Sequence, residues 1–306
     1  MNITITGDLG SGKTTVSELL AERLGMELID TGKIYRQFAN DKGLDVLGQN
    51  NSSDWSIDRK IDSEVERLGK EFDNQIFVSR LAWYFIPNAL KIYLIQNPLV
   101  AAERIMEDES RISESHSSVK ETLEFNMNRS NAELKRYYEM YGIEDARGYN
   151  EADIVIVVGK NFPVDVFNCI KAAIENNQYG FYIDPKVLIP THSISASDVS
   201  IIKKCRERFK PALIQTVDIE VCESDHSYFL IDGLYRVIAC IKNEVKFIKC
   251  ERPHCMLQEI NKSYVHDYED LTGISLKHEF DYREVRDLKD DDSFLGGTSE
   301  ICCGNK

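Results

Sequence analysis

The chain of 306 residues carries 37 lysines and arginines against 51 aspartates and glutamates, a formal net charge of -14, and 42% of its residues are hydrophobic. This acidic balance argues against nucleic acid or an anionic membrane as a partner, because the field of the molecule would repel both. The chain has no apolar run long enough to span a bilayer, and its first residues form a predicted strand. We therefore expect a cytoplasmic, globular protein with no membrane anchor and with enough apolar material for two domains.

The most informative stretch runs from Gly7 to Thr15, directly after the apolar, β-branched run at residues 3–6 and before a helical pattern of leucines. Strand, glycine-rich turn and helix follow in the order that a phosphate-binding loop requires, although an ordinary glycine-rich turn is the alternative. In such a loop the backbone amides face phosphate oxygens, the lysine reaches the terminal phosphates and a hydroxyl ligates Mg²⁺. The candidate ATP and magnesium ligands are Gly7, Gly10, Ser11, Gly12, Lys13, Thr14 and Thr15, with Thr14 as the metal ligand.

The residues after this loop predict strands alternating with helices. A strand at residues 26–29 ends in the polar turn from Asp30 to Arg36, which would lie at the carboxyl edge of a parallel sheet, where such sheets bind ligands. Asp30 or Thr31 could instead be a helix cap. A polar loop at 40–56 and an amphipathic helix at 57–71 come next, then buried strands at 75–79, 90–95 and 153–158, the first followed by Arg80. This alternation predicts a doubly wound, parallel α/β sheet.

A charged stretch at residues 102–142 separates the last two of these strands. Arg129 and Arg136 are seven residues apart, so on a helix they share one face with Glu133 between them. Two guanidinium groups on one face can neutralise a phosphoryl group in transfer. The alternative is a solvated helical face, which explains most charged runs.

Residues 1 to about 177 resemble the cytidylate kinases, in particular the compact archaeal-type branch of the nucleoside-monophosphate kinases. The resemblance rests on residues 7–15 and 30–36, on Asp58-Arg59 with Asp62, on 79–82 and 103–105, and on 129–137 with 141–143. It implies a three-layer α/β/α P-loop kinase domain over residues 1–178, with a mobile lid. The implied activity is that of a transferase, which moves the γ-phosphoryl group of Mg-ATP to a pyrimidine monophosphate.

The same resemblance implies roles for individual residues. Lys13 and Thr14 would hold the ATP phosphates and Mg²⁺, and Asp30 and Thr31 would line the acceptor pocket. Arg36 and Arg80 would grip the acceptor phosphate. The catalytic residues implied are Lys13, Arg104, Arg129 and Arg136.

The chain departs from the family pattern at several positions. Asp108 stands where the family has a lid arginine, and Ser130 stands where it has an acidic residue. Ser130 weakens the implied recognition of cytosine. Asp108, together with Tyr235 in the second half of the chain, keeps a second hypothesis open, in which the protein is a catalytically weak nucleotide sensor whose second half engages a partner or nucleotide.

The second half begins a new pattern after a predicted junction at residues 177–186. A helix at 196–209, a strand at 216–221 and a returning strand at 228–231 precede Asp232-Gly233, which opens a helix at 237–241, and a strand at 245–249 follows. This strand, turn and helix would form an anion site with Arg236, unless Asp232 is a helix cap and Arg236 a surface residue.

Residues 180 to 255 resemble the domain shared by ParB, sulfiredoxin and the free-serine kinases. We therefore predict a smaller α+β domain over 179–260, and the resemblance implies that Asp232, Gly233 and Arg236 bind a nucleotide phosphate. The acidic residues 261–306 predict a helical extension and a disordered tail.

All eight cysteines lie in the second half of the 306 residues, from Cys169 onward, and in a cytoplasmic protein we expect reduced thiols. Cys250, His254 and Cys255 match no standard zinc spacing, so a metal cluster there is the less favoured alternative.

Overall fold

The computed structural model describes residues 1–35, 55–107, 118–195, 198–224, 226–253 and 263–276. The chain divides into two compact units, one of Met1–Gln96 with Ala101–Tyr182 and the other of Asn97–Val100 with Ile183–Lys306. The division into three parts predicted from the sequence stays a prediction. In the described residues, no helix is long and apolar enough to cross a membrane.

The elements up to residue 183 alternate between strands and helices, as the sequence predicts. They are β1 (Ile3–Gly7), α1 (Lys13–Leu24), β2 (Glu27–Asp30), α2 (Ser56–Glu71), β3 (Gln75–Val78), α3 (Ala82–Phe85), β4 (Leu90–Ile95), α4 (Pro98–Glu107), α5 (Val119–Tyr141), β5 (Ile154–Val157), α6 (Pro163–Glu175) and β6 (Gly180–Ile183). Residues 31–35 form a further helical turn after β2.

A parallel sheet forms the centre of the first unit. Its strands lie in the order β2, β3, β1, β4, β5, and each neighbouring pair is parallel. Every residue of β1, β3 and β5 is buried, as is typical of parallel strands covered on both faces. The predicted parallel α/β sheet is therefore confirmed for this unit.

The register of this sheet brings several strand ends to one edge. Gly7 at the end of β1 pairs with Leu94 of β4, and Asp30 at the end of β2 pairs with Val78 of β3. Parallel strands end on the same side, so the loops that follow them share this edge. The candidate site is built there.

The second unit is smaller and mixes helices with short strands. Its elements are β7 (Leu188–Pro190), α7 (Val199–Arg208), β8 (Ile214–Thr216), β9 (Glu220–Ser224), β10 (Ser227–Asp232), α8 (Leu234–Lys242), β11 (Phe247–Cys250) and α9 (Ser263–Thr272). β10 pairs with β9 antiparallel and with β7 parallel, and β11 pairs with β8 parallel.

The single strand predicted at residues 216–221 is wrong, because the chain changes pairing partner there. β8 pairs with β11, whereas β9 pairs with β10. Between them Val217 and Ile219 are buried while Asp218 is exposed, an alternation that mimics one continuous strand in the sequence. The predicted return at 228–231 lies within β10. The likeness of this unit to the ParB and sulfiredoxin domain stays a prediction.

Candidate active site

The loop between β1 and α1 has a backbone that only glycine adopts easily at three positions. The φ angles of Gly7, Gly10 and Gly12 are 141°, 70° and 83°. A Cβ atom at Gly7 would lie 2.1 Å from the carbonyl oxygen of Leu94, and one at Gly10 would lie 2.7 Å from the Cβ of Ala101. The loop therefore packs closely against β4 and α4, and its shape depends on the two glycines at these contacts.

The side chain of Lys13 folds back over this loop. Its Nζ donates to the carbonyl oxygens of Gly7 at 2.8 Å and of Asp8 at 2.5 Å. Lys13 therefore lies where the sequence predicts, at the start of α1 and beside the loop.

Asp8 fastens the loop to the end of β4, a role that the sequence analysis missed. Its carboxylate accepts from the hydroxyl of Tyr93 at 2.9 Å and from the backbone amide of Gln96 at 3.0 Å. Burial, and then the negative charge of Asp8, raise the pKa of Tyr93 well above its usual range. No local motif signals this contact, because Asp8 and Tyr93 are brought together only by the pairing of β1 with β4.

At the end of β2, Asp30 caps the helical turn that follows, which is the alternative role that the sequence left open for it. The carboxylate of Asp30 accepts from the backbone amide of Lys33 at 3.0 Å, and the hydroxyl of Thr31 donates to the carbonyl oxygen of Val78 at 3.1 Å. The acceptor-binding role of Asp30 and Thr31 stays a prediction. Arg36 and Asp108 lie outside the described residues, as do residues 40–54 of the loop predicted at 40–56.

Two predicted arginines meet at one buried carboxylate, which we call the Glu133 hub. Arg80, two residues beyond β3, lies with Nε 3.1 Å from Oε2 of Glu133, and Nε of Arg129 donates to Oε1 of Glu133 at 3.2 Å. Arg80 also donates from Nη1 to the carbonyl oxygen of Gly7 at 3.2 Å. The structure therefore joins the glycine-rich loop, the end of β3 and helix α5 through one arginine.

Arg136 lies on the same face of α5, one turn beyond Glu133. Its Nη2 is 3.7 Å from a carboxylate oxygen of Asp58 on α2, and its guanidinium carbon is 5.2 Å from the ring centre of Tyr137. Arg129 contacts Glu133, and Arg136 points toward Asp58 on the neighbouring helix α2. These contacts support the prediction that the two arginines share a face of α5 with Glu133.

The electrostatics of this cluster keep Glu133 ionised. Burial alone would raise the pKa of its carboxyl, but the positive charges of Arg80, Arg129 and Arg136 outweigh burial and hold that pKa below its ordinary value. Asp62 on α2 is different. Burial raises the pKa of Asp62 to about 6, although Tyr141 donates a hydrogen bond to it at 2.8 Å.

Arg104 does not join the cluster through any contact in the described part of the chain. Its Nη2 donates to the carbonyl oxygen of Gly159, just beyond β5, at 3.1 Å, and burial lowers its pKa. Its predicted role in catalysis stays a prediction. Arg147, which the sequence analysis did not single out, pairs with Asp145 at 2.9 Å.

The second candidate site lies at the start of α8, and its role in binding an anion stays a prediction. Gly233, with φ of 96°, is the N-cap residue of α8, and no side chain accepts a capping hydrogen bond, so the alternative that Asp232 caps this helix is wrong. The carboxylate of Asp232 instead accepts from Nη2 of Arg236 at 2.7 Å, and Asp218 lies 3.6 Å from Nη1. An anion at Arg236 would therefore compete with two carboxylates.

In the described parts of the chain, no group of three or more metal-ligating side chains is placed to hold a metal ion. Five cysteines there are outside any disulfide: Cys169, Cys205, Cys222, Cys240 and Cys250. His254 and Cys255 of the faint metal pattern lie outside the described residues, as do Cys302 and Cys303.

Comparison with known proteins relates residues 2–160 to one family, since a sequence model of the cytidylate kinase-like family matches them. A cytidylate kinase from Archaeoglobus fulgidus is 33% identical over 178 residues, which cover 57% of this chain and 95% of that protein. One from Methanosarcina barkeri is 36% identical over 182 residues, covering 58% and 97% respectively. One from Methanobrevibacter smithii is 36% identical over 146 residues, covering 47% and 81%.

Proposed function

Because this chain belongs to the cytidylate kinase-like family and is a P-loop kinase, we propose that it transfers the γ-phosphoryl group of Mg-ATP to a nucleoside monophosphate, CMP or dCMP foremost. The observation that carries the proposal is the position of Arg80. This arginine contacts Gly7 of the phosphate-binding loop and Glu133 of the arginine-bearing helix. If the loop binds the donor and the helix the acceptor, this one cation would lie between them.

On the donor side, the loop at residues 7–14 would hold the ATP phosphates. Lys13 would leave the carbonyls of Gly7 and Asp8 and pair with a phosphate oxygen, which offers a full negative charge instead of two dipoles. The hydroxyl of Thr14, one residue later on α1, would be a ligand of Mg²⁺. When bound, this ion would neutralise charge on the β- and γ-phosphates.

On the acceptor side, Arg80, Arg129 and Arg136 would neutralise the monophosphate. An oxygen of that phosphate attacks the γ-phosphorus, and the bond from the γ-phosphorus to the bridging oxygen of ADP breaks. Such a loose transition state needs mainly positioning and positive charge, and a well-placed arginine is worth about 10³- to 10⁵-fold in rate. The three arginines would supply that charge without acid or base chemistry.

The test is an assay of ADP release with CMP, dCMP, UMP and other monophosphates as acceptors. We expect acceptor-dependent turnover by the wild type. Lys13→Ala should lower kcat/KM by at least about 100-fold, because it removes a preorganised positive charge. Lys70→Ala is the matched control, since Lys70 pairs with Glu66 at 2.6 Å on the exposed face of α2. The proposal fails if wild type turns over no acceptor faster than Lys13→Ala does.

A nucleotide-sensing role is the second candidate, favoured by Asp108 in place of a lid arginine. A carboxylate there would repel phosphates and slow transfer without preventing ATP from binding. Tight binding of ATP without acceptor-dependent turnover would support this role, whereas multiple turnovers would count against it.

A further inference from the structure

The carboxylate of Glu133 has a position that the proposed phosphoryl transfer does not itself explain. The residue is 8% exposed and lies on α5 among arginines from two different elements. A buried carboxylate without partners would be costly, and so would a group of unpaired guanidinium groups. Glu133 and its arginines therefore hold one another in place.

The geometry of the hub separates its two oxygens between two arginines. Oε2 faces Nε of Arg80 at 3.1 Å, and Oε1 accepts from Nε of Arg129 at 3.2 Å. Both contacts use Nε, so Glu133 sets the direction in which each planar guanidinium group extends. Without a bridging anion, mutual repulsion would drive the two guanidinium groups apart.

Arg80 and Arg129 belong to different elements, so the bridge that Glu133 forms between them sets the distance between their guanidinium groups. Arg80 follows β3 and contacts Gly7, whereas Arg129 belongs to α5. Only a group that reaches both elements can fix the distance between the two cations. The third arginine, Arg136, pairs instead with Asp58 of α2, whose Oδ1 lies 3.7 Å from its Nη2.

We propose that Glu133 is a positioning residue, whose buried carboxylate holds the guanidinium groups of Arg80 and Arg129 at the spacing needed to bind one acceptor phosphate. This inference rests on the proposed function, because it assigns these arginines to the acceptor. Glu133 acts through the arginines and takes no part in bond making or breaking. Its loss should therefore impair the acceptor side and leave the donor side intact.

The test compares Glu133→Gln with Glu139→Gln in the full chain. Glu139 is a glutamate of the same helix, paired with exposed Lys135 at 4.0 Å, and thus controls for loss of one carboxylate. For Glu133→Gln we expect kcat/KM for CMP to fall on the order of 10²-fold, as for a misplaced binding group. The affinity for a fluorescent ATP analogue should stay within about twofold of wild type, and Glu139→Gln should match wild type in both.

Glu133→Asp keeps the charge and shortens the side chain by one methylene group. We expect it to recover part of the lost CMP activity, and it also decides the matter if Glu133→Gln does not fold. A merely structural role would lower donor and acceptor affinities together. Equal CMP kinetics for Glu133→Gln and Glu139→Gln, in an active wild type, would overturn the positioning role alone. A wild type that neither binds nor phosphorylates any monophosphate would overturn the proposed function and this role together.

Discussion

The guanidinium group of Arg80 donates to the carbonyl oxygen of Gly7 at 3.2 Å, and the same oxygen accepts from Nζ of Lys13 at 2.8 Å. The carbonyl oxygen of Gly7, at the end of β1, thus accepts hydrogen bonds from two cations. Lys13 comes from the phosphate-binding loop, and Arg80 follows β3. A bound anion beside Gly7 would be attracted by both cations, and Glu133 holds one of them, Arg80, at 3.1 Å. The contact accounts for how charges from two distant stretches of sequence reach one edge of the sheet.

Gly12 provides a test of the shape of the loop. An added Cβ there meets no protein atom within 4 Å, so Gly12→Ala should cost only the strain of its φ of 83°, about 1 to 2 kcal/mol of unfolding free energy. Gly142 is the matched control, because it has φ of 71° and equally open space at the end of α5. The two alanine variants should have similar unfolding midpoints in urea.

Only Gly12→Ala should weaken nucleotide binding, because its methyl group points into space beside the phosphate-binding loop. We expect affinity for a fluorescent ATP analogue to fall by at least about tenfold, the loss of one good hydrogen bond to a charged group. Gly142→Ala should bind the analogue as wild type does. Equal affinities for the two variants would show that the loop at Gly12 does not bind phosphate.

Asp62 should make the stability of the protein depend on pH. Burial raises its pKa in the folded state to about 6, from an ordinary value of 3.8. The folded protein therefore holds this proton more tightly than the unfolded chain. The resulting stabilisation is fully present below about pH 4 and is lost as the pH rises through about 6.

Replacement by asparagine removes this titration and can keep the hydrogen bond from Tyr141. Asp62→Asn should therefore lose less stability than wild type between pH 4.5 and 7.5, by about 2 kcal/mol at most. Urea unfolding at several pH values measures the difference, with Glu175→Gln as an exposed control. Parallel pH profiles for wild type and Asp62→Asn would contradict the prediction.

Arg236 tests the predicted phosphate site of the second unit. Native mass spectrometry of the full chain at saturating ATP or CTP should count two bound nucleotides in wild type and one in Arg236→Ala. Arg208→Ala, which removes an exposed arginine from α7, is the control and should keep both nucleotides. Because Asp218 competes for Arg236, Asp218→Asn should tighten the second site by about threefold. One nucleotide in wild type would refute a second site.

The sequence predicted the kinase half well because its signals are local. The glycines and Lys13 follow β1 directly, so spacing along the chain sets their geometry. The buried strands of the parallel sheet are continuous apolar runs, and β4 has the bounds that the sequence predicted. In the second unit the same reasoning merged two strands, because alternation along the chain does not show a change of pairing partner.

The sequence by itself determined the phosphate-binding loop, the parallel sheet and the shared face of Arg129, Glu133 and Arg136, because each depends on the spacing of neighbouring residues. Only the tertiary structure decided that Arg80 reaches both Gly7 and Glu133, that Asp8 meets Tyr93, and that Asp58 serves Arg136. Those contacts join residues far apart in the chain, and they depend on strand order and helix packing, which no local pattern encodes.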